Sequence, residues 1–256
     1  FVTYRNTDPL FAVDLSDDKN PKVLGELKIS GFSEYLHFWG EDKLVGIGYE
    51  TDEKTGEIRA MVSYPGYDSI KLANGVDSEY FASLQHDKSS PLLNYATQQK
   101  TAPGSTFKLV SATAGLAENV ITTSDQIRCT GIYNDISNKP KCWIYPGSHG
   151  LDNVFEAIRD SCNVFFYTVG NRLAQKKTGS YNDANGIDLI QKYAHIYGLD
   201  QKTGLEISES KSSVATKYPV MAAIGQSDNN YTTVALSRYV TCLLYTSDAA
   251  DELDGV

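Results

Sequence analysis

The sequence predicts an α+β protein with a β-rich region at its N-terminus and a helical region after it. Between residues 1 and 50, short apolar runs alternate with turn-forming segments such as DDKNPK, SGFS and GED, which is the pattern of antiparallel strands. From residue 105 onward, apolar residues recur at the three- and four-residue spacing of helices. A hydrophobic content of 41% and 17 tyrosines are typical of a globular chain that contains sheet.

The N-terminal region is predicted to be an all-β meander. Its strand-like runs are LFAVDLS, KVLGELKI, EYLHFW and KLVGIGYE. Four strands at this spacing are predicted to form one small sheet, which cannot bury a core by itself. The same stretch resembles one blade of a secreted β-propeller, a fold that needs several blades. A further strand, IRAMVSYPGYD, is predicted after the turn TDEKTGE.

The middle of the chain is predicted to be helical. Apolar spacing predicts helices over 151–160, 164–175 and 184–198, the last of them closed by Gly198. Residues 203–220 are predicted to be a loop, and a final helix is predicted over 231–243.

The segment TAPGSTFKLVSATAGL contains a candidate nucleophile. A Pro-Gly break precedes Ser105, and Lys108 follows one helical turn later on the same face of the predicted helix. Ser105 is either a nucleophile with Lys108 as its base, or simply the cap of this helix. The Ser-x-x-Lys spacing alone is a weak signal, because it recurs at Ser16–Lys19 and Ser208–Lys211.

A second candidate site motif lies between two predicted helices, in RDSCNVFF. If Ser161 and Asn163 face one cleft at a helix corner, the hydroxyl can shuttle a proton and the amide can hold a substrate amide. The alternative is that either residue caps the following helix. A rival Ser-Asp-Asn string occurs at Ser227–Asn229, much farther along the chain from Ser105.

Composition excludes several classes of function. A net charge of −9 and a pI near 4.9 argue against nucleic acid as a main partner. The four cysteines form no Cys-x-x-Cys pair and the four histidines are scattered, so the spacing predicts no metal site and no cofactor. Cys129 and Cys142 flank a polar loop that is expected at the surface, where they form either a disulfide or two free thiols.

Six segments occur in the order in which class B penicillin-binding proteins carry them, and together they resemble that family over about residues 54–241. They are TGEIRAMVSYPGYD, NYATQQKTAPGSTFKLVSATAGL, CTGIY, HGLDNVFEAIRDSCNVFFYTVG, YGLDQKTGLEI and AAIGQSDNNYTTVALSRYV. The resemblance implies the penicillin-binding transpeptidase fold, with helices around an antiparallel sheet. It also implies a D,D-transpeptidase that cross-links peptidoglycan.

The resemblance assigns a role to each candidate residue. Ser105 would attack the D-Ala-D-Ala carbonyl and form an acyl-enzyme, while Lys108 takes its proton. Ser161 would pass a proton to the departing D-Ala, and Asn163 would bind the peptide and position Lys108. β-Lactams would acylate Ser105, and the parent protein would be anchored in the bacterial membrane, facing the envelope, with a glycan polymerase as partner.

The chain also departs from the family pattern. The third family motif, Lys-Thr/Ser-Gly, belongs on a strand beyond the IGQ segment. This chain has three Lys-Thr-Gly strings, at Lys54–Gly56, Lys177–Gly179 and Lys202–Gly204. All three lie upstream of that place and are predicted to be surface turns. The motif is therefore expected to be missing, and weak or absent acylation by penicillin, as in an inactive fragment, is expected as a result.

These departures predict three segments: a propeller-blade-like fragment (1–52), an incomplete transpeptidase domain (53–241) and an adapter-like artefactual tail (242–256). A chimeric fragment is expected, with a natural fusion as the alternative. Other functions left open are a serine β-lactamase, a β-lactam-sensing domain, a secreted β-propeller binding protein and a non-functional chimera.

Overall fold

The computed structural model describes the backbone of residues 10–14, 22–27, 32–39, 43–51, 58–73 and 75–251, and the side chains of 58, 61–73 and 75–243. Contacts divide the chain into two compact units. One comprises residues 1–92 and 243–256, and the other comprises residues 93–242. The segment boundaries drawn from the sequence remain predictions. Across the described backbone, no helix is both long and apolar enough to cross a membrane.

The first unit begins with the four predicted strands and a short fifth one. They are β1 (Leu10–Asp14), β2 (Lys22–Leu27), β3 (Phe32–Trp39), β4 (Lys43–Thr51) and β5 (Ile58–Ala60). The prediction of one sheet is wrong for these described strands, because β1 pairs with β2 alone and β3, β4 and β5 form a separate antiparallel sheet. Alternating polarity identifies strands, but it does not specify which of them pair.

Two helices of the first unit were not predicted. They are α1 (Ile70–Ala73) and α2 (Ser78–His86). Helix α2 begins after Asp77, whose carboxylate accepts a hydrogen bond from the backbone N–H of Tyr80 at 3.0 Å. The strand predicted up to residue 68 ends at Ala60, ahead of Pro65, which has no N–H to give to a strand ladder.

The second unit is mainly helical. Its helices are α3 (Lys108–Ala117), α4 (Val154–Arg159), α5 (Asn163–Gln175), α6 (Asp183–Ile196), α7 (Pro219–Ala222) and the start of α8 (Thr233–Asp251). Its described strands are β6 (Lys100–Thr101), β7 (Ile127–Cys129), β8 (Gly150–Asp152) and β9 (Tyr231–Thr232). They form two antiparallel pairs, β6 with β9 and β7 with β8. This mixture of helix and antiparallel strand agrees with the predicted α+β class.

Helix α5 lies at the centre of this unit and packs against α3, α4, α6 and α7. Its side chains Phe165, Phe166, Val169 and Leu173 are fully buried. Burial of such a side chain contributes about 1.5–3 kcal/mol, so α5 forms the core of the unit. The N-terminus of α5 is thereby held in a fixed position relative to α3.

The predicted helices of this unit are confirmed with shifts of at most three residues at their ends, except that α8 continues eight residues past its predicted end at residue 243. Helix α6 ends as expected at Gly198, which has φ +69° and donates its N–H to the His195 carbonyl at 2.8 Å. Helix α8 begins two residues later than predicted, because Tyr231 and Thr232 pair with β6 instead. Strands of two or three residues, such as β6 and β7, are too short to leave a periodic pattern in the sequence.

Candidate active site

Ser105 lies in a 3-10 turn, Gly104–Phe107, that leads directly into α3. Its side chain is exposed, and the residues at the cap positions of the turn and the helix make no side-chain cap hydrogen bond. Instead, Ser105 Oγ accepts a hydrogen bond from Ser161 Oγ at 2.9 Å. The contacts therefore do not support the capping interpretation, and they place Ser105 beside the second candidate motif.

Lys108 is the first residue of α3, and its side chain is turned into the protein with 2% of the residue exposed. Its ammonium donates to the Ser161 carbonyl at 2.7 Å, to Ser161 Oγ at 2.9 Å and to Asn163 Oδ1 at 2.7 Å. Ser161 Oγ thus lies between Lys108 Nζ and Ser105 Oγ. The three groups form one continuous hydrogen-bonded path.

The pKa of Lys108 is lowered from 10.5 to about 8, chiefly because burial disfavours the charged ammonium. Electrostatic interaction with the Cys142 and Cys162 pair acts in the opposite direction. With a pKa near 8, roughly a tenth of the lysine is neutral at pH 7. An amine of this kind can accept a proton at physiological pH, whereas an exposed lysine cannot.

Ser161 and Asn163 occupy the corner between α4 and α5. Ser161 has a left-handed backbone with φ +51°, which is uncommon for a residue with a side chain. Cys162, rather than Ser161 or Asn163, is the N-cap of α5, and it makes no side-chain cap bond. Neither candidate residue acts as a helix cap, and both direct polar atoms toward Lys108.

A close contact between two glycines supports the Ser105 turn from behind. The Gly104 N–H donates to the Gly225 carbonyl at 3.1 Å. Gly225 has φ +71°, and a Cβ placed on it would lie 2.1 Å from the Gly104 oxygen. Ser111 Oγ, one turn into α3, donates to the Ala223 carbonyl at 2.7 Å. The IGQ segment therefore fixes the position of the turn, a role that sequence reasoning did not assign to it.

The rival motifs lie elsewhere and have other partners. Asn229 is buried, accepts from the Ala215 N–H at 3.0 Å and donates to the Ala222 and Gln226 carbonyls. The strings Lys177–Gly179 and Lys202–Gly204 lie in largely exposed loops, as expected. Lys54–Gly56 and Ser16–Lys19 lie outside the described residues.

Four residues beside this site form a cluster that could hold a metal. The ligand atoms of Cys129, Cys142, His149 and Cys162 all lie within 4.8 Å of one another, and the three thiols are buried. Ligands of a tetrahedral zinc ion lie roughly 3.3–3.8 Å apart, and Cys142 Sγ is 3.7 Å from His149 Nδ1. Three cysteines and a histidine are a common donor set for structural zinc.

One polar atom of this cluster lacks a partner, and the thiols are electrostatically coupled. His149 Nε2 is buried without a hydrogen-bond partner. The pKa of Cys142 is lowered, because Cys162 and backbone N–H groups, including that of Asn163 at 3.3 Å, donate to its sulfur. The pKa of Cys162 is raised by the same thiol–thiol contact. A thiolate at Cys142 is the form that binds metal.

The prediction of no metal site stays a prediction, but the structure brings together four possible ligands that the spacing did not indicate. Successive members of the cluster are separated by 6 to 12 intervening positions, so no short motif reveals them. They come together because β7, the following loop and the N-terminus of α5 converge. Cys129 and Cys142 are free thiols in the structure, which favours that alternative over a disulfide, and most of the loop between them is exposed.

Two family models match the chain. The penicillin binding protein transpeptidase domain matches residues 50–245, and a β-propeller domain matches residues 1–73. The second match agrees with the propeller resemblance of the N-terminal stretch. The two matches overlap between residues 50 and 73.

Individual relatives agree with the first match. The peptidoglycan D,D-transpeptidase MrdA of Acinetobacter baumannii is 32% identical over 163 residues, which is 62% of this chain and 22% of that protein. The chain thus spans about a fifth of the length of this curated relative.

Solved structures show the fold. A chain from a peptidoglycan synthase complex is 30% identical, with a TM-score of 0.65 over 75% of this chain and 33% of that chain. Penicillin-binding protein A of Mycobacterium tuberculosis, solved as a penicillin G acyl-enzyme, is 26% identical, with a TM-score of 0.63 over 75% of this chain and 44% of that one. The predicted fold class is confirmed by these similarities.

Proposed function

This chain belongs to the penicillin-binding protein transpeptidase family, and from that premise we propose that it performs serine acyl transfer on the D-Ala-D-Ala end of peptidoglycan stem peptides. The nucleophile is Ser105. Lys108, Ser161 and Asn163 are the groups that activate it and hold the substrate. The observation that carries the proposal is the path from Lys108 Nζ through Ser161 Oγ to Ser105 Oγ.

In the acylation step, Ser105 Oγ bonds to the carbonyl carbon of the D-Ala-D-Ala amide. The Ser105 proton moves to Ser161 Oγ as the Ser161 proton moves to neutral Lys108. The C–N bond then breaks, and the leaving D-Ala amine takes a proton back from Ser161. Transfer to an acceptor amine repeats these steps in the opposite direction and releases Ser105.

The surroundings of Ser105 suit the charge that develops in this reaction. The Ser105 backbone N–H lies in the turn before α3, where the positive end of the helix dipole stabilises an oxyanion. Asn163 accepts from Lys108 through Oδ1, so its Nδ2 group remains available to bind a peptide carbonyl.

A labelling experiment tests the nucleophile. The chain is incubated with a fluorescent penicillin, and the label is located by mass spectrometry of peptides. We expect label on Ser105 and none in Ser105→Ala. Ser208→Ala is the matched control, because Ser208 also begins a Ser-x-x-Lys string but lies in an exposed loop. Label that persists in Ser105→Ala would overturn the assignment.

The expectation of weak acylation is tested in the same experiment. A version extended with the C-terminal part of the A. baumannii relative is labelled beside the original chain. Faster Ser105 labelling of the extended version would support the expectation that the third motif is missing. An absence of label in both versions would contradict the proposed function itself.

The lifetime of the label separates a transpeptidase from a β-lactamase. Among the described residues, the hydrogen-bond partners of the Ser105, Lys108 and Ser161 side chains include no carboxylate that could activate a water. We therefore expect the penicilloyl group to persist for hours. Release within seconds would favour the β-lactamase alternative.

The proposal extends to the setting of the intact protein. Peptidoglycan substrates are found in the bacterial envelope, and the similar peptidoglycan synthase complex is described as coordinating polymerization and crosslinking. We place the parent protein in the envelope beside a glycan polymerase. Co-purification of the two from solubilised membranes would test this.

The thiol–imidazole cluster has a structural part in this proposal. Cys129, Cys142, His149 and Cys162 would hold one Zn²⁺ ion. Bound there, the ion would join β7 and its loop to the N-terminus of α5. Since Cys162 lies between Ser161 and Asn163, the ion would also stabilise the α4–α5 corner that contains both residues.

A further inference from the structure

The helical unit also contains a cavity that shares no residue with the Ser105 site. It has a volume of about 750 Å³ and lies between the 135–138 loop, the C-terminal half of α5 and the residue that precedes α7. Its polar lining includes Asp135, Asn138, Asn171, Gln175 and Asp183. The described lining carries two carboxylates and no cation, so an anionic ligand would be repelled.

The lining is rich in side chains that both donate and accept hydrogen bonds. Asn138, Asn171 and Gln175 each carry a carboxamide, with two donor hydrogens and one acceptor oxygen. Gln175 Nε2 donates to Asn171 Oδ1 at 3.4 Å, which holds two of these amides side by side on α5. Hydroxyl and acetamido groups also donate and accept, so a neutral polyhydroxylated ligand matches this lining.

Aromatic rings provide a second kind of contact. Tyr181 and Tyr218 line the cavity with 45% and 57% of their surface exposed. A flat, partly exposed ring with a polar tip can cover the C–H face of a pyranose and still hydrogen-bond at its edge.

The cavity lies at a suitable distance from the Ser105 site along α5. Asn163 contacts Lys108 at the start of the helix, whereas Asn171 and Gln175 lie about 12 and 18 Å farther along its axis. An extended peptide of about five residues spans about 17 Å. A stem peptide whose end is at Ser105 can therefore have its sugar near this cavity.

We propose that this cavity binds a neutral, N-acetylated saccharide, namely a piece of the glycan strand that carries the stem peptide. The inference rests on the proposed transpeptidase function for the identity of the polymer. The carboxamides of Asn138, Asn171 and Gln175 would bind hydroxyl and acetamido groups, and Tyr181 would lie against a ring face.

Saturation-transfer NMR with chitotetraose, a peptide-free N-acetylglucosamine tetramer, tests the proposal on the full chain. We expect saturable binding that weakens about tenfold in Gln175→Glu, which loses a donor and adds charge. Gln201→Glu, the same change at an exposed site outside the cavity, keeps the affinity. Tyr181→Ala weakens binding, whereas Tyr181→Phe retains it.

Three results would contradict the proposal. Lack of binding to the unmodified chain would overturn the proposal, as would equal binding by Gln175→Glu and Gln201→Glu. A diamine that binds better to Gln175→Glu would overturn it in favour of a cation site.

The saccharide-binding test can fail or succeed independently of the penicillin-labelling test of the proposed function. Penicillin labelling of Ser105 in Gln175→Glu and Tyr181→Ala should match that of the unmodified chain. Normal labelling without saccharide binding would refute this inference alone, whereas saccharide binding without any Ser105 labelling would refute the acyl-transfer proposal.

Discussion

Lys108 is a buried amine that is hydrogen-bonded to the Ser161 hydroxyl, and its proposed role as the base makes the reaction sensitive to pH. Its pKa of about 8 lies below the ordinary 10.5, so the neutral base becomes more abundant as the pH rises. We expect the labelling rate to increase about tenfold per pH unit below 7.5 and to level off above about 8. Penicillin-labelling reactions stopped at fixed times between pH 6 and 9 measure this rate.

The free energy of unfolding should also depend on the protonation of Lys108, but at higher pH. Between pH 8 and 10.5 the unfolded chain holds the Lys108 proton and the folded chain does not, so stability rises with pH there. Lys100→Met, which changes an exposed lysine, should leave both profiles unchanged. A labelling rate that does not change from pH 6 to 9 would contradict Lys108 as the base.

Ser161 combines a proton-relay hydroxyl with a strained backbone, and two substitutions separate these features. Both Ser161→Ala and Ser161→Gly should slow labelling about 10²-fold, because the path to Lys108 is broken. Glycine accepts φ +51° without strain, so Ser161→Gly should be about 1 kcal/mol more stable than Ser161→Ala. Urea unfolding measures the difference, and equal stability would show that the strain is negligible.

At the level of elements, the contact between the Ser105 turn and the IGQ segment depends on the absence of a side chain. Gly225→Ala would place a methyl group 2.1 Å from the Gly104 oxygen. Gly179 is the matched control, with φ +72° and nothing within 4 Å of its Cβ position. We expect Gly225→Ala to be about 2–4 kcal/mol less stable than Gly179→Ala and to label more slowly. Equal effects would show that the turn can move.

The zinc proposal concerns how β7, its loop and α5 are joined. We expect about one zinc per purified chain by elemental analysis, and a lower thermal midpoint after chelation. Cys142→Ser should lose the metal, whereas Cys242→Ser, a change at an exposed cysteine outside the cluster, should keep it. Full metal content in Cys142→Ser would contradict the assignment.

Elements of different length were predictable to different degrees. Helices such as α5 and α6 have enough turns for their apolar spacing to stand out, and the sequence predicts them to within one or two residues of each end. The short helix α2 and the strands β7 and β8 lack that length. Their positions depend on contacts with distant residues, which no local pattern records.

Across the whole molecule, the two halves of the candidate site were predictable separately. The segments 101–116 and 158–166 each carry a local motif. The resemblance to penicillin-binding proteins predicts that the two motifs form one site. The metal cluster was not predictable from spacing, because its ligands come from a strand end, a loop and a helix cap. The Gly104–Gly225 contact was likewise invisible, because it needs two chain segments 121 positions apart.

The arrangement of the whole chain gives one further prediction. Every candidate active-site residue lies within residues 93–242, which form one compact unit. We expect a version that lacks the propeller-like residues 1–52 to label with penicillin at the same rate as the full chain. A large drop in rate, at equal helix content by circular dichroism, would contradict this.

Cys162 stands between Ser161 and Asn163, so a ligand of the proposed ion is bonded directly to the residues on either side that hold Lys108. Cobalt(II) prefers similar ligands to zinc, and its visible absorption changes with small distortions of the thiolates around it. The visible absorption of a cobalt-loaded chain should therefore change when Ser105 opens the β-lactam ring of an antibiotic. The protein would thus report acylation of Ser105 through its own absorption spectrum, with no dye attached.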